Sequence, residues 1–92
     1  MKKTKSIADW RKRIDGINRR LLWLLRERAE AALKIGDIKK KSGMAISDPA
    51  REKAILNELA GIKAAPLDAR AVRSVFSAVI RETKRIERGA AR

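Results

Sequence analysis

The 92-residue chain contains no cysteine and no histidine. Disulfides, thiol nucleophiles, thiolate metal sites and imidazole acid–base chemistry are therefore excluded, and zinc is left without a plausible ligand set. Aromatic residues are almost as scarce. Trp10, Trp23 and Phe76 are the whole set, and three isolated rings make no ladder on which bases could stack. Only two prolines occur, Pro49 and Pro66, so nothing of that kind interrupts the first half of the chain. The longest apolar run, Leu21 to Leu25, is far too short to span a bilayer. Period-2 alternation and hairpin dipeptides are missing, which leaves no strand signal. The basic N-terminus, Met1-Lys2-Lys3-Thr4-Lys5, lacks the apolar segment and cleavage site of a signal peptide, and a cytoplasmic protein is expected.

What is present in excess is positive charge: 24 Lys and Arg against 11 Asp and Glu, a formal net charge of +13. Nucleic acid is the obvious partner for such a chain. The distribution argues against it, because the cations are spread along the chain and mixed with acids. The densest clusters are Arg11-Lys12-Arg13, Lys39-Lys40-Lys41, and Lys84-Arg85 with Arg88 and Arg92. The last two lie where cations complement a helix macrodipole, the plainer explanation for them. The length gives one small domain, residues 1–92, with tails at 1–5 and about 88–92 expected to be disordered. A chain this short buries a modest fraction of its surface, which makes oligomerisation a source of extra core.

The fold class expected is all-α, three helices per chain, long, short and medium. The first starts at Ser6, with Asp9 in a capping-box position, and ends at Ser42-Gly43. Its heptad a positions are Ile7, Ile14, Leu21, Arg28 and Ile35; its d positions are Trp10, Ile17, Leu24, Ala31 and Ile38. Arg28 is the sole charge in this seam, costly there unless an anion meets it. Some 35 helical residues make a rod about 50 Å long, whereas a compact monomer of this size is only about 32 Å across. Either the helix breaks at Gly16 or Gly36, or it lies along a second copy; the unbroken heptad favours an intertwined homodimer. Asp48-Pro49 opens helix 2, with Ile55, Leu56, Leu59 and Ile62 as its apolar stripe and Gly61 at its end. Pro66-Leu67-Asp68 starts helix 3, whose stripe of Val72, Val75, Phe76, Val79 and Ile80 runs on into Thr83, Ile86 and Glu87.

Several polar residues thus fall on or beside apolar faces. Arg28 and Lys39, eleven residues apart, are about 20° from alignment and share one wall. Arg11 is turned about 100° from Arg28 and cannot join that wall from its own helix, though a partner chain could present it. Arg51 and Glu52 sit in the first turn of helix 2, whose amides could add anion-binding donors. Taken singly, each has a plainer explanation: Arg28 a structural ion pair or snorkelling side chain, Lys39 a helix-end cation, Arg51-Glu52 surface charge, Thr83 a tolerated polar residue. Together they suit a small, multiply anionic ligand better than a polymer.

The ordered run Arg11-x-x-Ile14-Asp15-x-Ile17-x-x-x-Leu21-Leu22-x-Leu24-Leu25-x-Glu27-Arg28, then Ile35-Gly36-x-x-Lys39, then Asp48-Pro49-x-Arg51-Glu52, resembles the all-helical (AroQ) class of chorismate mutases. Leu67-Asp68 and Val75-Phe76 also fit, and the likeness spans about Ile7 to Glu87. The resemblance implies a cofactor-free and metal-free isomerase that converts chorismate to prephenate, as a homodimer whose sites are each completed by the partner's long helix. It implies that Arg28, Arg51 and the partner's Arg11 hold carboxylates, and that Lys39 bridges a carboxylate and the ether oxygen. Glu52 would accept from the ring hydroxyl with the Asp48 backbone nearby. Thr83 matches a small hydroxyl position, and Glu87 one that donates to the ether oxygen. An isochorismate pyruvate lyase on the same fold, a basic helical nucleic-acid-binding dimer and a dimerisation module with a dead pocket remain as alternatives.

Overall fold

Three helices make up the regular structure of the computed structural model, which describes residues 4–90: α1 spans Ile7–Lys41, α2 Pro49–Ala60 and α3 Ala69–Ala90. No strand occurs among the described residues, and no helix there is long and apolar enough to cross a membrane. Of the tails expected to be disordered, residues 1–3 and 91–92 lie outside the described residues. Thr4 and Lys5 carry no regular structure, but residues 88–90 continue α3, which corrects the C-terminal boundary. Arg88 in its last turn complements the dipole.

Local chemistry explains each boundary. The Ser6 hydroxyl accepts from the Asp9 amide at 3.2 Å, and the Asp9 carboxylate accepts from the Ser6 amide at 2.9 Å, a reciprocal capping box. Hydrogen bonds from the Ser6 backbone, and then from its side chain, hold the Asp9 carboxyl below its ordinary 3.8. A depressed carboxyl stabilises the fold above its unfolded value, so this cap is intact at neutral pH and weakens only as pH falls through the lowered pKa. At the other end of α1, Gly43 has φ of 71°, and the Met44 amide reaches back to the Lys39 carbonyl at 2.8 Å. This left-handed stop favours glycine. Asp48 caps α2 by accepting from the Arg51 amide at 3.1 Å, with Pro49 as first helical residue, and Gly61 closes it. Asp68 caps α3, accepting from the Ala71 amide at 2.7 Å, so Pro66 lies ahead of the cap.

Neither Gly16 nor Gly36 breaks α1, which is continuous over 35 residues. The molecule is correspondingly elongated, 64 × 26 × 14 Å, with a radius of gyration of 17.3 Å against about 12 Å for a compact chain of this length. α3 packs on both α1 and α2. Val72 and Ile80, eight residues apart on α3, are the only buried apolar side chains among the described residues. Phe76 and Val79 are half-buried between them, while Val75 and Ile86, placed on the same stripe by periodicity, are exposed. Most of the α1 seam faces nothing in its own chain: Ile14, Leu21 and Leu24 are 53%, 50% and 61% exposed. Met44 and Trp23 are exposed too, the Trp23 ring lying under the Arg26 guanidinium.

Candidate active site

Each helix contributes one face to a cavity of about 270 Å³. From α1 come Arg28, Ala31, Ala32, Ile35 and Lys39; from the α1–α2 connection and α2, Ile46, Asp48, Arg51, Glu52 and Ile55; from α3, Ile80, Thr83, Lys84 and Glu87. The α3 set has the i, i+3, i+4, i+7 spacing of a single helical face, and the α2 set from Asp48 to Ile55 has the same spacing. Seven of the eight residues singled out in the sequence are thereby brought together. Arg11 is not among them. It is exposed, seventeen residues or about 25 Å of helix before Arg28.

Hydrogen bonds orient the cations. Arg28 Nη1 donates to Thr83 Oγ1 at 2.9 Å, tying α1 to α3. The Thr83 hydroxyl donates in turn to the Val79 carbonyl at 2.7 Å. With its one proton used in its own helix, Thr83 serves Arg28 as an acceptor and has no donor left for a ligand in this arrangement. Lys39 Nζ donates to the Ile46 carbonyl at 3.2 Å, fastening the connection that carries Asp48. Arg28, Lys39 and Arg51 make no ion pair among the described residues. The seam arginine is thus not neutralised by an internal carboxylate, the alternative the sequence left open.

The carboxylates are arranged differently. Asp48 Oδ1 is occupied by the α2 cap, and the Glu52 amide is bonded to the Asp48 carbonyl at 3.0 Å. Since Pro49 has no amide proton, this takes up much of the α2 first turn, expected from the sequence to offer donors to an anion. Glu52 is bound by Lys84, whose Nζ lies 3.2 Å from the carboxylate. Glu87 lies against α1 at Gly36, the one buried residue of that helix: a β-carbon there would stand 3.3 Å from Glu87 Oε2. Lys84 lines the cavity although, with Arg85 and Arg88, it reads in the sequence as a helix-end cation. Its position between Thr83 and Glu87 on the i, i+4 row from Ile80 was the signal that could have found it.

Four cations and three carboxylates line the cavity, with apolar floor from Ala31, Ala32, Ile35, Ile55 and Ile80. Such a site suits a compact ligand with more than one negative charge and a part that prefers apolar surroundings. Fold and site together define an all-helical domain with a cation-lined cavity made by three helices. Residues 10–88 match the family chorismate mutase type II, and the chain belongs to that family. A solved chorismate mutase (form II) from Thermus thermophilus superposes with a TM-score of 0.88 at 28% identity, over 91% of this chain and 96% of that one. The chorismate mutase of Methanocaldococcus jannaschii is 40% identical over 53 residues, 58% of this chain and 54% of that protein. The bifunctional chorismate mutase/prephenate dehydratase of Aquifex aeolicus is 42% identical over 53 residues, 58% of this chain but 15% of that protein. The matched stretch is thus about half of one curated relative and a small part of the other.

Proposed function

We propose that this chain is a chorismate mutase of aromatic amino-acid biosynthesis, converting chorismate to prephenate in the cavity between its three helices. The observation that carries the reading is the pair Arg28 and Lys39, two oriented cations on one wall with no carboxylate partner among the described residues. The rearrangement breaks one C–O bond and forms one C–C bond within a single molecule, with no nucleophile and no net proton transfer. What the protein has to supply is a compact reactive conformer and stabilisation of charge on the breaking ether oxygen.

In this reading Arg28 and Arg51 bind the carboxylates, and Lys39 bridges a carboxylate and the ether oxygen. Glu52 accepts from the ring hydroxyl close to Asp48. Glu87 approaches the ether oxygen, which can only accept a hydrogen bond, so Glu87 acts in its protonated form. Thr83 holds the Arg28 fork. The exposed seam around Leu21 and Leu24, together with the 64 Å length, supports a homodimer in which α1 of a second copy covers this face and brings its own Arg11 to the cavity. The same reading places the enzyme in the cytoplasm.

The deciding experiment is incubation of the purified protein with chorismate, without added cofactor. Loss of chorismate with formation of prephenate is expected; unchanged chorismate overturns the reading. Parallel incubation with isochorismate, followed for pyruvate release, separates the mutase from a lyase on the same fold.

A further inference from the structure

Lys84 and Glu52 form the only ion pair between two different helices among the described residues. The other pairs lie within one helix, on side chains at least 53% exposed. Lys84 Nζ stands 3.2 Å from Oε1 and 3.2 Å from Oε2, so both carboxylate oxygens are engaged from one side. The two side chains are 26% and 25% exposed. Together with Ile80 they line both the main cavity and a smaller one of about 100 Å³, whose other walls are Leu56, Ser77 and Arg81.

We propose that Lys84 is a positioning residue that holds the Glu52 carboxylate at the wall of the cavity against repulsion by a dianionic ligand, so that Glu52 accepts from the ligand's hydroxyl. The assignment rests on reading the cavity as the chorismate site. A carboxylate has about four lone-pair directions; Lys84 occupies one on each oxygen, and those turned to the cavity stay open. Without the tether, Glu52 would face a ligand of its own sign on a side chain with three rotatable bonds, and the favourable response is to swing away. For a largely buried lysine–carboxylate pair the cost of desolvating both charges offsets much of their attraction, so a simple staple between α2 and α3 is a weak reason for it.

The test is a double-mutant cycle on the full chain, with kcat and KM for chorismate and thermal melting measured on each variant. Lys84→Met keeps the aliphatic stem, and should raise KM about tenfold with kcat within about threefold, the effect of losing one charge-assisted ligand hydrogen bond. Lys84→Arg should restore KM to within about threefold of wild type. In a Glu52→Gln background the neutral amide is not repelled, and adding Lys84→Met should change KM by less than about threefold. A full tenfold rise there would mean that Lys84 acts directly on the ligand, and a lowered melting temperature with unchanged KM would mean a staple; either result overturns the assignment. Wild-type protein that leaves chorismate unchanged overturns the proposed function and this assignment together, whereas wild-type turnover with an unaltered KM in Lys84→Met overturns this assignment alone.

Discussion

Arg28 on α1 and Thr83 on α3 are joined by a 2.9 Å hydrogen bond across 55 residues of sequence, and the same threonine hydroxyl spends its proton on the Val79 carbonyl. The hydroxyl therefore works as a fixed acceptor that sets the direction of the guanidinium. Thr83→Val keeps the shape and removes the acceptor. It should lower kcat/KM for chorismate about tenfold, the effect of one lost hydrogen bond to a charged group, while Thr83→Ser stays near wild type. Equal activity of Thr83→Val and wild type in steady-state kinetics would show that Arg28 needs no such orientation.

Arg28 itself has no carboxylate partner to strand among the described residues, so its removal leaves no buried charge behind. Arg28→Ala should cost on the order of 10²–10³ in kcat/KM, the scale for a preorganised charge-stabilising group, with melting little changed. A loss of several kcal/mol of stability without a selective loss of turnover would assign Arg28 to the fold instead.

The uncovered α1 seam makes assembly testable. The unfolding midpoint should rise with protein concentration, since only the associated state buries Leu21 and Leu24. Leu24→Glu places a charge on a side chain already 61% exposed in the single chain, harmless to a monomer and disruptive to a seam between two copies. Sedimentation should show dissociation and loss of activity in this variant; a folded, active wild-type monomer would rule the dimer out.

Glu87 can donate to an ether oxygen only while it carries its proton. Glu87→Gln, whose amide donates at any pH, should retain turnover and sustain it better than the wild type at alkaline pH. Superimposable pH–rate profiles of the two proteins would exclude Glu87 as the donor.

Gly36 ties that carboxylate to the fold. Gly36→Ala gains up to about 1 kcal/mol of helix propensity but places a β-carbon 3.3 Å from Glu87 Oε2, so the carboxylate must retreat by a few tenths of an ångström. The expected outcome is unchanged or higher melting with reduced kcat. Higher melting with full kcat would mean that Glu87 has room to move without consequence.

The sequence by itself determined the helices and their ends. Ser6 with Asp9, Asp48 with Pro49, and Gly61 act within a few residues of themselves, so their chemistry needs no tertiary partner. It also determined that Arg28 and Lys39 share a wall, because helical periodicity carries orientation along a single rod. Tertiary structure alone decided what those groups meet. The Arg28–Thr83 and Lys84–Glu52 bonds span 55 and 32 residues and depend on how α3 crosses its neighbours, which no local pattern encodes. It likewise decided that Gly36 makes room for Glu87. The seam lies between these two kinds of information. Its heptads were legible because they repeat along one helix, but that most of them find no partner within the chain was decided by the tertiary structure, in which α3 meets α1 at Arg28 and Gly36 through Thr83 and Glu87 while Ile14, Leu21 and Leu24 stay exposed.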